Sequence, residues 1–314
     1  INKLEIKGIT KHSFTPEGKP PMYVYVVEAN GNDKNVMCYG HLDKQPWMMP
    51  WREGLGPTKA VIEGDFLYGR GGADDGYAPF SCALAIKNLQ VQGLPHPRFA
   101  LVLETEEESG SPNLLELLAL SKEAIGTPDI MFCMDSGAFN WDQLWMTSSL
   151  RGIICLDVQI DCAHGGYHSG EVGGIVPETM RVMRHLLDRI DDSKTGMCCE
   201  ALNCEIPERF KTEAKFMAEL SGPEMYKKYH VCEGVDCMHE EGIDQMYLNN
   251  TWRANMAITG AAGLPAIQTA GNVCRPSTSM RLSIRLPPKV NPDDAYAAVT
   301  KLLTTDVPYN AKVV

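Results

Sequence analysis

The sequence has 314 residues, 44% of them hydrophobic and 22% charged, enough chain for two buried cores. Forty acidic against twenty-nine basic residues give a formal charge of −11, the wrong sign for general nucleic-acid binding or for reading an acidic membrane. No apolar stretch approaches the roughly eighteen residues a membrane span needs, and eleven cysteines without a CxxC pair fit reduced thiols in a cytoplasmic setting better than a disulfide framework. The chain opens Ile1-Asn2-Lys3 without an initiator methionine and shows no signal peptide, so a fragment, a processed chain or the ordered part of one is expected.

In chain order, four short apolar runs end abruptly in residues able to bind a cation. Val36-Met37-Cys38-Tyr39 leads into Gly40-His41-Leu42-Asp43, and Phe66-Leu67-Tyr68 into Gly69-Arg70-Gly71-Gly72-Ala73-Asp74-Asp75-Gly76. Residues 99–103 precede Glu104-Thr105-Glu106-Glu107-Glu108, and residues 130–134 precede Asp135. Runs this apolar predict strands covered on both faces, with helices between them, one after Tyr77 and one over 114–125. The expectation is an α/β domain with a mostly parallel sheet, whose ligands sit beyond the carboxyl ends of the strands. All four polar clusters would converge there.

The second half reads differently. Ile154, Leu156, Val158 and Ile160 alternate with Cys155, Asp157 and Gln159, a strand with one wet face. A helix follows from Pro177 through Met180, Met183, Leu187 and Ile190, then a long polar insertion over 195–253. Strands are expected at 255–259 and 280–286, a helix capped by Asn291-Pro292, and a last strand beginning at 311. Strand, helix, strand, strand, helix, strand is the ferredoxin-like split βαβ order. The boundary is placed near Ser149, giving a catalytic domain over 1–148 and an α+β domain over 149–314.

Gathering Asp43, Asp74, Asp75, Glu107, Glu108 and Asp135 in one crevice stacks like charges at a prohibitive desolvation cost unless cations sit among them. Histidine and carboxylates together suit zinc, with manganese or cobalt as substitutes. Water bound there loses a proton near neutral pH, and a neighbouring carboxylate can pass that proton to a leaving amine. Each motif alone reads blandly. A His-x-Asp is commonly a surface turn, an acidic run a solvated helix face, a lone Asp a helix cap, and His239-Glu240-Glu241 an exposed helix end. Their joint occurrence, each after an apolar run, carries the metal reading. The glycine-rich run places Asp74 where a dinucleotide fingerprint wants its third glycine, so a nucleotide fold falls behind.

With these motifs, together with His168-Ser169-Gly170 and Ser283-Ile284-Arg285-Leu286-Pro287, the chain resembles the dinuclear zinc metallopeptidases of family M20. Those include carnosinase-like dipeptidases, glutamate carboxypeptidase and acetylornithine deacetylase relatives. The resemblance implies a zinc-peptidase catalytic domain with an inserted lid and dimerisation domain, and two divalent ions, zinc foremost. By that likeness His41 and Asp135 bind one ion, Asp74 bridges both, Glu108 binds the second, and Glu107 is the general base. Asp43 acts from behind the ligands. The resemblance also implies that His168 reaches a neighbouring active site across a lid-to-lid homodimer to stabilise an oxyanion. It further implies that Arg285, which taken alone reads as a solvated strand residue, grips the substrate carboxylate. Asn272, in the turn before the lid strand, touches substrate or, the more ordinary reading, completes a turn.

The sequence departs from the family by Gly76, where a lysine usually follows the paired aspartates. The family pattern also begins further upstream and runs beyond Val314 to a glycine-rich substrate loop and a last histidine ligand, so terminal portions of the catalytic domain are expected outside this sequence. The implied reaction is hydrolysis of an amide next to a free carboxylate, in a short peptide or an N-acyl amino acid. A dipeptidase or carboxypeptidase leads, with a deacylase of the same family or a catalytically silent dimeric scaffold as alternatives.

Overall fold

Strand pairing begins upstream of the motifs. The computed structural model describes residues 1–140, 142–229, 231–238 and 242–314, with every side chain among them except that of Asn2. The chain divides into two compact units, Ile1–Thr147 and Ser148–Val314.

In the first unit, β1 (Thr10–Phe14) and β2 (Met22–Val27) form an antiparallel hairpin with Thr10 opposite Val26. They are followed by β3 (Asn35–His41), β4 (Val61–Glu63), β5 (Phe66–Tyr68), α1 (Ala78–Val91), β6 (Arg98–Glu104), α2 (Leu114–Ile125) and β7 (Ile130–Cys133). The sheet order is β1-β2-β6-β3-β7. Pairing is antiparallel between β2 and β6 but parallel from β6 to β3 and from β3 to β7. The sheet is therefore mixed, not mostly parallel. Only residues 15–21 join β1 to β2, fewer than the roughly dozen a parallel crossover needs.

Two further expectations are corrected. The run Phe66-Leu67-Tyr68 stays out of the sheet and pairs with β4 in a separate ribbon. The connection is only Gly64-Asp65, with Gly64 at φ +59°, and so short a turn folds a strand back on its predecessor. Nor is β7 covered on both faces: as an edge strand beside β3 alone it leaves Ile130, Met131 and Phe132 about half exposed.

Alternation along β6 sends successive side chains to opposite faces. Phe99, Leu101 and Leu103 pack with Cys82, Ala83 and Ile86 of α1. Val102 packs with Leu117 and Ile125 of α2 and with Met22, Val24 and Val26. One helix thus covers each face, and the carboxyl ends of β3 and β6 lie level, His41 opposite Glu104.

The second unit contains β8 (Gly152–Asp161), β9 (Tyr167–His168), α3 (Ser169–Val172), α4 (Thr179–Leu187), α5 (Glu208–Ser221), α6 (Glu224–Lys227) and α7 (Ile243–Thr251). After these come β10 (Asn255–Ala262), β11 (Val273–Cys274), β12 (Ser277–Leu286), α8 (Pro292–Thr304) and β13 (Lys312–Val313). Its main sheet has the order β10-β12-β8-β13 and is antiparallel throughout. With α4 and α8 this gives the succession strand, helix, strand, strand, helix, strand. Val158, Ile160, Leu282 and Ile284 of the sheet close on Val182, Met183 and Leu186 of α4 and Val299 of α8. The opposite face carries the exposed Asp157, Arg281 and Arg285. Asn291 caps α8, its side-chain oxygen accepting from Asp293 N at 2.8 Å and Asp294 N at 3.3 Å.

The largely polar insertion holds α5 to α7, with a small core of Ala214, Leu248 and Trp252. His239, Glu240 and Glu241 lie outside the described residues. Among the described residues no helix is long and apolar enough to cross a membrane.

Candidate metal centre

Parallel pairing at matched register is what gathers the site. His41 is the last residue of β3, level with Glu104, the last of β6, and Tyr39 is level with Cys133. Two residues beyond Tyr39 and Cys133 stand His41 and Asp135, while Glu107 and Glu108 follow Glu104 in a short 3-10 turn. Asp74 and Asp75 arrive instead on the glycine-rich turn before α1. Asp75 is fully buried and its Oδ2 accepts the His41 N–H at 3.1 Å. The Asp74–Asp75 peptide bond is cis.

The buried imidazole of His41 is the hub. Its Nε2 lies 3.1 Å from Asp74 Oδ1, 3.7 Å from Asp135 Oδ1 and 3.9 Å from Glu107 Oε2. On the other side Nδ1 lies 3.0 Å from the Asp43 carbonyl oxygen. The Asp43 carboxylate accepts from Glu107 N at 3.2 Å and Glu108 N at 2.9 Å, tying the acidic turn to the end of β3. Burial, and to a lesser extent the Lys44 charge, depresses the His41 imidazolium. The Asp135 charge, the Asp43 carbonyl and the Glu107 charge outweigh both and hold the ring above its ordinary range. Burial, then repulsion by Asp135, raises Glu107. Burial pushes Asp75 up to about 6, opposed by the bond from His41 N–H. A site that favours positive charge on the His41 imidazole is one that would accept a cation.

The donor set fits an ion. Ligand atoms about 2.1 Å from a tetrahedral zinc lie about 3.4 Å from one another, which matches the 3.1 and 3.7 Å separations of Asp74 and Asp135 from His41. His41, Asp74 and Asp135 make one triad with ligand atoms within 4.8 Å of one another, and His41, Glu107 and Glu108 make a second. Glu108 is grouped with Glu107, not with Asp74. Its Oε1 accepts from Gln45 N at 3.1 Å and its Oε2 from the Gln45 side chain.

Gln45 and Tyr77 are not legible from motif spacing, and Asp75, expected in the crevice, takes a role that spacing does not show. Gln45 engages Glu108. Asp75 anchors the main chain of His41. The Tyr77 hydroxyl reaches the carbonyls of Met134 and of Ser136, at 2.8 Å for Ser136, bracketing Asp135.

The remaining candidates lie in the second unit. His168 and Asn272 are neighbours: His168 is paired with Val273, and the Asn272 carbonyl accepts from Ser169 N at 2.9 Å. His168 Nδ1 accepts from Gly170 N at 3.1 Å, which assigns the neutral-ring proton to Nε2 and makes the outer edge a donor. Arg285 is elsewhere, eight residues along β12 from Ser277, roughly 27 Å at strand rise. Arg281 is bound to Asp157 through two hydrogen bonds of 2.7 and 2.8 Å, whereas Arg285 has no ion-pair partner among the described residues.

The profile of Peptidase family M20/M25/M40 matches residues 37–308. The chain belongs to this family. Among its M20/M25/M40 relatives, the Cys-Gly metallodipeptidase DUG1 of Saccharomyces cerevisiae is 24% identical over 288 residues, covering 90% of this chain and 59% of the relative. The Beta-Ala-His dipeptidase of Rattus norvegicus is 25% identical over 303 residues, covering 92% of this chain and 59% of the relative. The chain thus spans about 59% of the length of these two curated relatives. The solved structure of the di-peptidase Dug1p from Saccharomyces cerevisiae superposes with a TM-score of 0.72 at 21% identity, over all of this chain and 68% of that one. Human carnosine dipeptidase 1 gives 0.69 at 20% identity, with the same coverage. These structures share the fold.

Proposed function

We propose that the protein carrying this sequence is a metal-dependent dipeptidase, cleaving an amide adjacent to a free carboxylate in a short peptide. The observation that carries this reading is the convergence of His41, Asp74 and Asp135, with Glu107 and Glu108 alongside, on one buried imidazole edge. The dipeptidase names of the M20 relatives favour peptides over N-acyl amino acids. The first unit is the catalytic domain and the second an inserted lid that mediates homodimer formation.

His41, Asp74 and Asp135 would hold one divalent ion and Glu108 would serve a second, zinc foremost with manganese or cobalt as substitutes. Bound there, they supply positive charge that polarises the scissile carbonyl and acidifies water. Glu107 takes the proton of the attacking water on a carboxylate oxygen and hands it to the departing amine nitrogen. Its raised proton affinity brings it closer to working pH. Asp43 holds the Glu107 and Glu108 main-chain amides, fixing the direction of both carboxylates. His168 donates from Nε2 to the developing oxyanion of a neighbouring subunit, Arg285 takes the substrate carboxylate in a two-pronged grip, and Asn272 borders that substrate. Eleven cysteines without a CxxC pair suit a reducing cytoplasmic location.

The test is metal analysis of the full-length protein with a panel of dipeptides and N-acyl amino acids, repeated for Glu107→Gln. The variant should retain its metal and lose turnover by about three orders of magnitude or more. Turnover within a few-fold of wild type would remove Glu107 from the base role. Cleavage confined to N-acyl amino acids would overturn the dipeptidase reading.

A further inference from the structure

Three buried polar side-chain atoms among the described residues have no hydrogen-bond partner: Lys44 Nζ, Arg70 Nε and Asp75 Oδ1. Two of them carry opposite charges in the same neighbourhood. The Lys44 charge acts favourably on the Asp75 carboxylate and unfavourably on His41. Leaving either charge buried and uncompensated is strongly unfavourable, so the pair asks for an explanation.

The stem of Lys44 is built into the site. A Cβ on Gly71 would stand 2.0 Å from Lys44 Cδ, 2.5 Å from Cε and 2.9 Å from Cγ. Gly71 has φ +74°, and its carbonyl accepts from Gly76 N at 2.9 Å. Gly76 is closed to a side chain as well, since its Cβ would stand 2.2 Å from that same carbonyl oxygen. Lys44 therefore runs over the turn that delivers Asp75, in a slot that only a glycine at 71 leaves open. One water molecule between Nζ and Oδ1 would satisfy both orphaned atoms at once.

We propose that Lys44 is a positioning residue, the internal counter-charge of Asp75. Bridged by water to Asp75 Oδ1, it fixes the carboxylate whose Oδ2 holds the His41 N–H, and so fixes the end of β3 that presents the imidazole. This rests on the reading of His41 as an ion ligand.

The experiment uses the full-length protein, Lys44→Met, Asp75→Asn and the double variant. Methionine preserves most of the stem over Gly71 while removing the charge. Co²⁺ titration followed by its visible absorption should show about ten-fold weaker binding in K44M, with a shifted band. In chelator, K44M should lower the urea midpoint in the wild-type background and leave it unchanged in the D75N background, because the two charges act as a unit. Equal midpoint shifts in both backgrounds overturn the proposal and reduce Lys44 to packing on Gly71. Unchanged Co²⁺ affinity in K44M overturns it as well. A wild-type protein that takes up no Co²⁺ defeats the metal-site reading itself, a separately recognisable failure.

Discussion

The hydroxyl of Tyr77 steadies the loop of Asp135 from both sides. It reaches the carbonyls of Met134 and Ser136, so the carboxylate between them is carried on a clamped main chain. Tyr77→Phe keeps the ring and removes only that clamp. It should weaken Co²⁺ binding about ten-fold, as loss of a ligand's supporting hydrogen bond commonly does, and an unchanged titration would show that the loop holds itself. The contrast with the motifs is instructive. His41, Asp74 and Asp135 can be singled out in the sequence because metal chemistry restricts their residue types and each follows an apolar run or a glycine-rich turn. Tyr77 and Gln45 act through contacts that only the folded loops bring near, and Asp75, expected in the crevice, acts by accepting the His41 main-chain N–H; such hydrogen bonds leave no periodic trace.

At the level of elements, the close approach of α1 to β3 depends on Gly40. A Cβ there would stand 2.6 Å from both Ala78 Cβ and Asp75 Oδ2, so Gly40→Ala forces the helix start and the buried carboxylate away from the strand. The cost should be about 1–3 kcal/mol, typical of overpacking, together with loss of ion binding. A urea unfolding curve superposable on wild type would mean the helix start moves freely. The strands and helices that make these contacts are mostly legible in the sequence: α2 covers 114–125 as its apolar spacing predicts, and α8 starts at the Asn291-Pro292 cap. The sheet's direction is less legible. Nothing in the apolar run Phe66-Leu67-Tyr68 distinguishes a core strand from a ribbon. The Gly64-Asp65 turn before it decides the outcome by pairing it locally, and local closure wins over a distant sheet.

For the whole molecule, a formal charge of −11 with carboxylates focused at one sheet end makes stability depend on what neutralises them. Ion binding to the folded state alone adds RT ln(1 + [L]/Kd), about 2.7 kcal/mol at a hundred-fold excess over Kd. Zinc should therefore raise the unfolding midpoint of the full-length protein and chelator should lower it. Equal midpoints with zinc and with chelator would argue against a native ion site. The division into two units follows the change of pattern along the sequence, from doubly covered runs to one-sided alternation. The small core around Trp252 escapes that pattern because its few apolar residues are dispersed among polar and charged ones along α5 and at the end of α7.

The level ends of β3 and β6 carry one more implication. Side chains along a strand alternate with a period of two, so sliding β3 by a single position would turn His41 to the opposite face and put Gly40 or Leu42 at the hub. Misaligned molecules would lack the imidazole that both ligand groups share. Capture of a dication would then double as proofreading of strand alignment, drawing the folding population toward the one register in which histidine and aspartates meet.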